Sequence, residues 1–164
     1  MARDGTLQTG ALRADPRLPA AADVRAAAGR IKGRVVRTPL VRAEKLSAIT
    51  GANLWLKLEN LQYTGAFKER GAANKLLTLC AADKRRGVIA ASAGNHAQGL
   101  ARHAKILGVP ATIVMPATTP DVKVRQTRAF DAEVVLCGHS FEEARQRADA
   151  ICAERNLIFV HPFD

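Results

Sequence analysis

The stretch Tyr63-Thr64-Gly65-Ala66-Phe67-Lys68-Glu69-Arg70-Gly71-Ala72 places one lysine directly after a Gly-x-Phe turn, where helical propensity resumes. A lysine in a first helical turn sits near the positive end of the helix dipole, which mildly disfavours its ammonium form. The neutral amine is a nucleophile toward carbonyl carbon. A second stretch, Ala91-Ser92-Ala93-Gly94-Asn95-His96-Ala97-Gln98-Gly99, joins an apolar run to another helix. At such a junction the free backbone N–H groups and the helix dipole make an anion site. Gly94 allows the backbone to approach a ligand closely. Ser92, Asn95 and His96 add side-chain donors. Ordinary helix capping explains one polar residue at such a place. It does not explain Ser, Gly, Asn, His and Gln together between positions 92 and 98.

Neither stretch is a nucleotide fingerprint. GxGxxG, GxxxxGK[ST] and the GxSxG elbow are all absent. The anion expected at the loop is therefore small, such as a carboxylate. An amine beside a carboxylate cradle suits covalent carbonyl chemistry on amino acids.

These residues need elements to position them. Residues 21–34 are Ala-rich and helical in propensity. Arg37-Thr38-Pro39-Leu40 is extended, because a residue before proline avoids the α region. The run from Arg42 predicts a short helix closed by Gly51. The stretch from Asn53 to Glu59 alternates, with Leu54, Leu56 and Leu58 on one side, and predicts a strand with one buried face. A helix is expected from about Phe67 to Leu79. The run Gly87–Ser92 reads as a fully buried strand. Ala97, Leu100, Ala101, Ala104 and Leu107 form one stripe of a helix over 95–107. A strand over 111–115, a helix over 120–129, a strand near 132–136, a helix over 141–155 and a strand over 157–160 complete the chain. Strands alternating with helices across short turns predict an α/β fold with a parallel sheet flanked by helices.

The chain has 164 residues, 48% hydrophobic and 24% charged, enough for one globular domain or part of a larger one. Residues 1–20 read as a polar, disordered tail without the apolar core of a secretory signal. No run approaches the roughly 20 apolar residues of a membrane span, so no membrane association is expected. The net charge of +10 favours polyanions in principle. The basic residues are scattered, however, and aromatics make up only 4% of the chain, so no nucleic-acid partner is expected. Cys80, Cys137 and Cys152 form no CxxC pair and fit buried free thiols in a reducing cytoplasm. The four histidines lack zinc-like spacing with them, and no metal is expected. His96 and His103 are seven apart and could share a helix face.

The stretches 57–72 and 91–101 resemble, in order and spacing, the two N-terminal motifs of the fold-type II pyridoxal-phosphate enzymes, whose fold is tryptophan synthase beta-like. Within that group they are most similar to the threonine/serine dehydratases (threonine ammonia-lyases), which include serine racemase. The stretches 114–124, 132–138 and 160–164 continue the similarity, which covers about residues 30 to 164. The resemblance implies pyridoxal 5′-phosphate as cofactor, held covalently by Lys68. It places Phe67 against the pyridine ring and Asn95 on its phenolic oxygen. Ser92, Gly94, Asn95 and His96 would receive the substrate carboxylate. The implied reaction converts L-threonine or L-serine to a 2-oxo acid and ammonia, in a full-length protein expected to be a homo-oligomer. Ala93 stands where serine racemase-like members carry a second serine, and Asp131 stands where glycine is usual. The family's glycine-rich phosphate loop and pyridine-nitrogen partner would lie beyond Asp164, so the chain reads as a truncated, N-terminal part of such a catalytic domain. A non-catalytic truncated fragment, a serine racemase-like activity and a basic nucleic-acid-binding module are the alternatives.

Overall fold

A computed structural model of the protein describes residues 18–163. The expected tail over 1–20 lies outside these residues except for its last three, which lead exposed into the first helix. Helix α1 (Ala21–Ile31) buries only Ile31. Strand β1 (Leu40–Arg42) leads to helix α2 (Glu44–Thr50), which Gly51 closes in the left-handed conformation at φ 70°. Strand β2 (Trp55–Lys57) pairs antiparallel with β1, Val41 opposite Leu56. A 3-10 turn (Glu59–Leu61) then leads to α3 (Lys68–Thr78) and α4 (Ala81–Arg86).

The remainder is a parallel sheet. Strands β3 (Val88–Ala91), β4 (Ala111–Met115), β5 (Glu133–Leu136) and β6 (Ile158–Phe159) alternate with helices α5 (Asn95–Leu107), α6 (Asp121–Arg128) and α7 (Phe141–Glu154). The strand order is β5-β4-β3-β6, all parallel. Alternation along the strands divides the core. Val88, Ala90, Ile113 and Met115 face the stripe Ala97, Leu100, Ala101 and Ala104 of α5. Ile89, Ala91 and Val114 face Ala144, Ala148 and Ile151 of α7. Both faces of β3 are thus covered, which is why Val88–Ala91 is continuously apolar.

The chain winds outward from β3 to β5, then returns across the opposite face through α7 to lay β6 on the other side of β3. The carboxyl ends of β3 and β6 therefore lie side by side, at the end of a parallel sheet where ligands bind in folds of this kind.

Three expectations need correction. The Leu54/Leu56/Leu58 alternation does not mark a buried face. The β1–β2 ribbon stands apart from the parallel sheet, and all six of its residues are exposed, Trp55 by 56%. Alternation reports that a strand is amphipathic, not what covers it. The single helix expected to end near Leu79 is two helices, because Cys80 restarts the chain as cap of α4, its Sγ accepting from Asp83 N at 3.4 Å. The run Lys84-Arg85-Arg86 is the last turn of α4, where cations meet the negative end of the helix dipole. The cysteines are not buried either: Cys80 is exposed, and Cys137 and Cys152 are half-buried.

Asp131 also finds its explanation here. Its φ is 60°, the left-handed region that glycine enters without penalty. Aspartate tolerates it better than most residues, and Lys105 Nζ lies 2.9 Å from its carboxylate.

Candidate active site

The chain before Lys68 is held by two polar anchors. The Gln62 side chain accepts from Val36 N at 3.0 Å and donates to Val36 O at 2.9 Å, so its amide mimics a strand partner. Arg70 grips Glu59 with both arms, Nε at 2.9 Å and Nη2 at 2.7 Å, while Thr38 Oγ1 donates to the same carboxylate at 2.5 Å. The fork from Arg70 holds the Glu59 carboxyl down at about 2, against a smaller opposing effect of burial, with Thr38 and Gln62 assisting. Between the anchors, Gly65 turns the chain at φ 72° and closes on Gln62 O at 2.9 Å. Phe67 caps α3, and Lys68 is its first residue.

This geometry sets a pH dependence. A carboxyl depressed from 4.5 to about 2 stabilises the fold fully above about pH 4.5. That stabilisation fades as pH falls toward 2, at most about 3 kcal/mol in all. Glu59→Gln is expected to lower the urea midpoint at pH 7 and to flatten its dependence between pH 5 and 2.5. Parallel acid limbs in parent and variant would contradict the assignment.

Lys68 Nζ donates to Pro162 O at 2.6 Å. The ammonium lies 5.1 Å from the ring centroids of both Phe67 and Phe163. Lys68 itself is half-buried, and Phe67 is exposed. Pro162 and Phe163 follow β6, so the amine stands beyond the carboxyl end of that strand.

The loop over 92–94 leaves the neighbouring strand end. Ser92 N extends the ladder to Val114 O at 3.0 Å. Ser92 Oγ accepts from Gly94 N and from Ala97 N, each at 3.3 Å. Capping and ligand chemistry are thus not alternatives for Ser92: with its lone pairs facing two amides, its own O–H is left to donate outward. A Cβ at Gly94 would meet nothing within 4 Å, so the space beside the backbone is open. Asn95 is exposed at the first turn of α5, where backbone N–H groups have no partner within the helix. His96 is buried, with Nε2 3.0 Å from Val160 O, and links the loop to the end of β6. His103, on the same helix, is turned to a different partner, with its Nε2 2.6 Å from Glu69 Oε2.

Both stretches singled out in the sequence thus reach the end of β6: Lys68 through Pro162 and His96 through Val160, with Phe67 beside Lys68 and Ser92, Gly94 and Asn95 on the loop that His96 anchors. Pro162 and Phe163 were missed, because their place depends on β6 lying beside β3. Glu69 was missed too. It is fully buried, and Arg102 Nη1 donates to its Oε2 at 3.0 Å. Burial pushes its carboxyl up, but the hydrogen bond to His103 and the charge of Arg102 outweigh this and hold it below the ordinary carboxylate value.

Pyridoxal phosphate presents an aldehyde and a flat aromatic ring. A half-buried amine flanked by two phenyl rings suits both, so the residues present fit that group.

The family model of the pyridoxal-phosphate dependent enzymes matches residues 31–164, and the chain belongs to that family. It is 48% identical over 143 residues to the L-threonine dehydratase catabolic TdcB of Staphylococcus aureus (strain USA300), covering 87% of this chain and 41% of that protein. The processed form of threonine deaminase isoform 2 from Solanum lycopersicum superposes with a TM-score of 0.78 at 37% identity, over 92% of this chain and 43% of that one. Serine racemase from Dictyostelium discoideum superposes with a TM-score of 0.81 at 31% identity, over 87% and 47%. The chain thus spans under half the length of these relatives. Its α/β fold, a parallel sheet flanked by helices, is that of the fold-type II enzymes.

Proposed function

We propose that the protein takes part in the pyridoxal-phosphate-dependent dehydration and deamination of L-threonine, and of L-serine, to 2-oxobutanoate or pyruvate and ammonia. One observation carries this reading: Lys68 Nζ and His96 Nε2, one from each stretch, both bond carbonyls at the end of β6, those of Pro162 and Val160. The likeness to proteins named threonine dehydratase and threonine deaminase supports it.

Lys68 would hold the cofactor through Nζ, Phe67 would lie along its ring, and Asn95 would donate to its phenolic oxygen. The bound cofactor supplies an electron sink for charge developing at the substrate α carbon. The chain supplies the rest. Ser92 O–H and the first amides of α5 receive the substrate carboxylate, with Gly94 leaving room for it. His96 keeps that loop seated on the end of β6. Lys68 Nζ would take the α proton as the β hydroxyl leaves. Phe163 and Phe67 narrow the access of water to that amine. Lys68 must leave the Pro162 carbonyl to react, so the segment after β6 borders the reacting atoms.

The full-length protein is expected to be a homo-oligomer of the cytoplasm, acting on a small amino acid. The exposed apolar ribbon residues Leu40, Val41, Trp55 and Leu56 favour further contacts, and three cysteines outside any disulfide suit a reducing compartment.

Ala93 bears on a second reading, a serine racemase-like activity, which the Dictyostelium likeness favours. A methyl group cannot exchange a proton on the face opposite Lys68. With L-serine and the natural full-length protein, pyruvate is expected to form far faster than D-serine, and Ala93→Ser is expected to move the ratio toward D-serine. Chiral chromatography of residual serine decides this. D-serine accumulating as fast as pyruvate would favour the racemase, and a preparation forming neither 2-oxo acid nor D-serine would reject both readings.

A further inference from the structure

Lys68 lies between two residues that are each clamped. Arg70 holds Glu59 on one side of α3. Glu69 has no exposed surface, although it lies in the first turn of a helix whose capping residue, Phe67, is exposed. Its Oε2 binds Arg102 Nη1 at 3.0 Å and His103 Nε2 at 2.6 Å, both on α5. The Arg102 guanidinium in turn covers the Tyr63 ring at 3.8 Å, on the loop that leads into Lys68. One turn earlier on α5, a Cβ at Gly99 would meet the Lys68 carbonyl carbon and oxygen at 3.3 Å and Glu69 N at 3.4 Å. The bare backbone of Gly99 is what lets the first turn of α3 rest on α5.

A buried carboxylate is costly, and capping the start of a helix does not require one. What this one adds is orientation. Successive helical residues point about 100° apart, so fixing Glu69 toward α5 fixes Lys68 toward Pro162 at the end of β6. Because α5 opens with Asn95, the same contact sets the amine against the carboxylate loop. Reacting groups gain most when such placement is built in before binding.

We propose that Glu69 is a positioning residue: with Arg102, His103 and the bare backbone of Gly99, it locks the first turn of α3 onto α5 and so sets where Lys68 Nζ stands relative to residues 92–96. This deepens the proposed function, since it takes Lys68 as the reactive amine.

The test compares Lys68 with Lys75, a second lysine on the same helix. Trace acetic anhydride labels both in parent, Glu69→Gln and Gly99→Ala, with far-UV circular dichroism recording the fold. Once the clamp is loosened, Nζ leaves Pro162 and the two rings more often. The Lys68-to-Lys75 labelling ratio is then expected to rise about fivefold, the weight of one net hydrogen bond. The yield of borohydride-fixed pyridoxal phosphate on Lys68 should fall at the same time. A folded Glu69→Gln chain with the parent ratio overturns the proposal, as does a parallel rise of both lysines, which is destabilisation alone. If Glu69→Gln does not fold, Gly99→Ala decides, because it keeps the carboxylate and adds one methyl group against Lys68; an unchanged ratio there overturns the proposal. A parent chain that gives no cofactor adduct on Lys68 would reject the proposed function, while the acetylation ratio would still read the clamp.

Discussion

Lys68→Ala is expected to abolish the covalent link between the chain and pyridoxal phosphate. After borohydride reduction and proteolysis, the pyridoxyl mass carried by the parent on the peptide containing residue 68 should vanish. The reason is chemical and geometric together. Only a primary amine condenses with the aldehyde, and this one is half-buried between two phenyl rings at the end of the parallel sheet. Other lysines lack that setting: Lys57 Nζ is engaged by Thr38 O at 2.5 Å, and Lys105 pairs with Asp131 at the surface. Lys68→Arg separates charge from nucleophilicity. It preserves a cation able to bind Pro162 O, yet it cannot form the link, and the same loss is expected. A reduced adduct of parental yield on any peptide without residue 68 would sink the assignment.

Gly87→Ala is expected to be strongly destabilising. Gly87 has φ 90° and ψ 171°, a region almost closed to residues with a side chain. A Cβ there would stand 2.9 Å from Pro110 O, which is the acceptor for Val88 N at 2.8 Å. Ile158 N donates to Gly87 O at 3.0 Å, so the same residue starts the pairing of β3 with both neighbours. Backbone strain of about 1–3 kcal/mol joins about 1–3 kcal/mol of overpacking. Against a total stability of about 5–15 kcal/mol for a domain, this removes much of the margin. Gly108→Ala is the comparison: φ is 64°, but the space is open, so only the left-handed penalty of about 1–2 kcal/mol applies. Urea denaturation of the two variants should differ plainly in midpoint. Equal midpoints would show that the contact with Pro110 relaxes at no cost.

The parallel strands were legible because both faces of a covered sheet must be apolar, and Val88–Ala91 carries that requirement in an unbroken run while Ala111–Met115 departs from it only at Thr112. Helix α5 was legible to the residue, since an apolar stripe begins after Gly94 and ends at Gly108. The β1–β2 ribbon misled for the opposite reason. Its alternation records a two-faced strand, while its surroundings leave both faces open. Helix α4 was hidden because six residues hold too few turns for periodicity to register, and its cap is a cysteine rather than serine or aspartate.

At the candidate site, the types and local spacing of residues determined the chemistry: an amine at a helix start, and a polar, glycine-bearing loop at a strand end. Those are local properties, set by turn geometry and helix termini, and any fold that preserved the two stretches would retain them. Only the tertiary structure decided that they meet. The return of α7 lays β6 beside β3, which brings Pro162 and Phe163 onto Lys68 from 94 residues away. Glu69 shows the same limit. In the sequence it is an acidic residue in a first helical turn, which the dipole alone would explain. Its burial against Arg102 and His103 exists because Gly99 lets two helices touch. Long-range pairing of this kind depends on which faces pack together, and no local pattern encodes that.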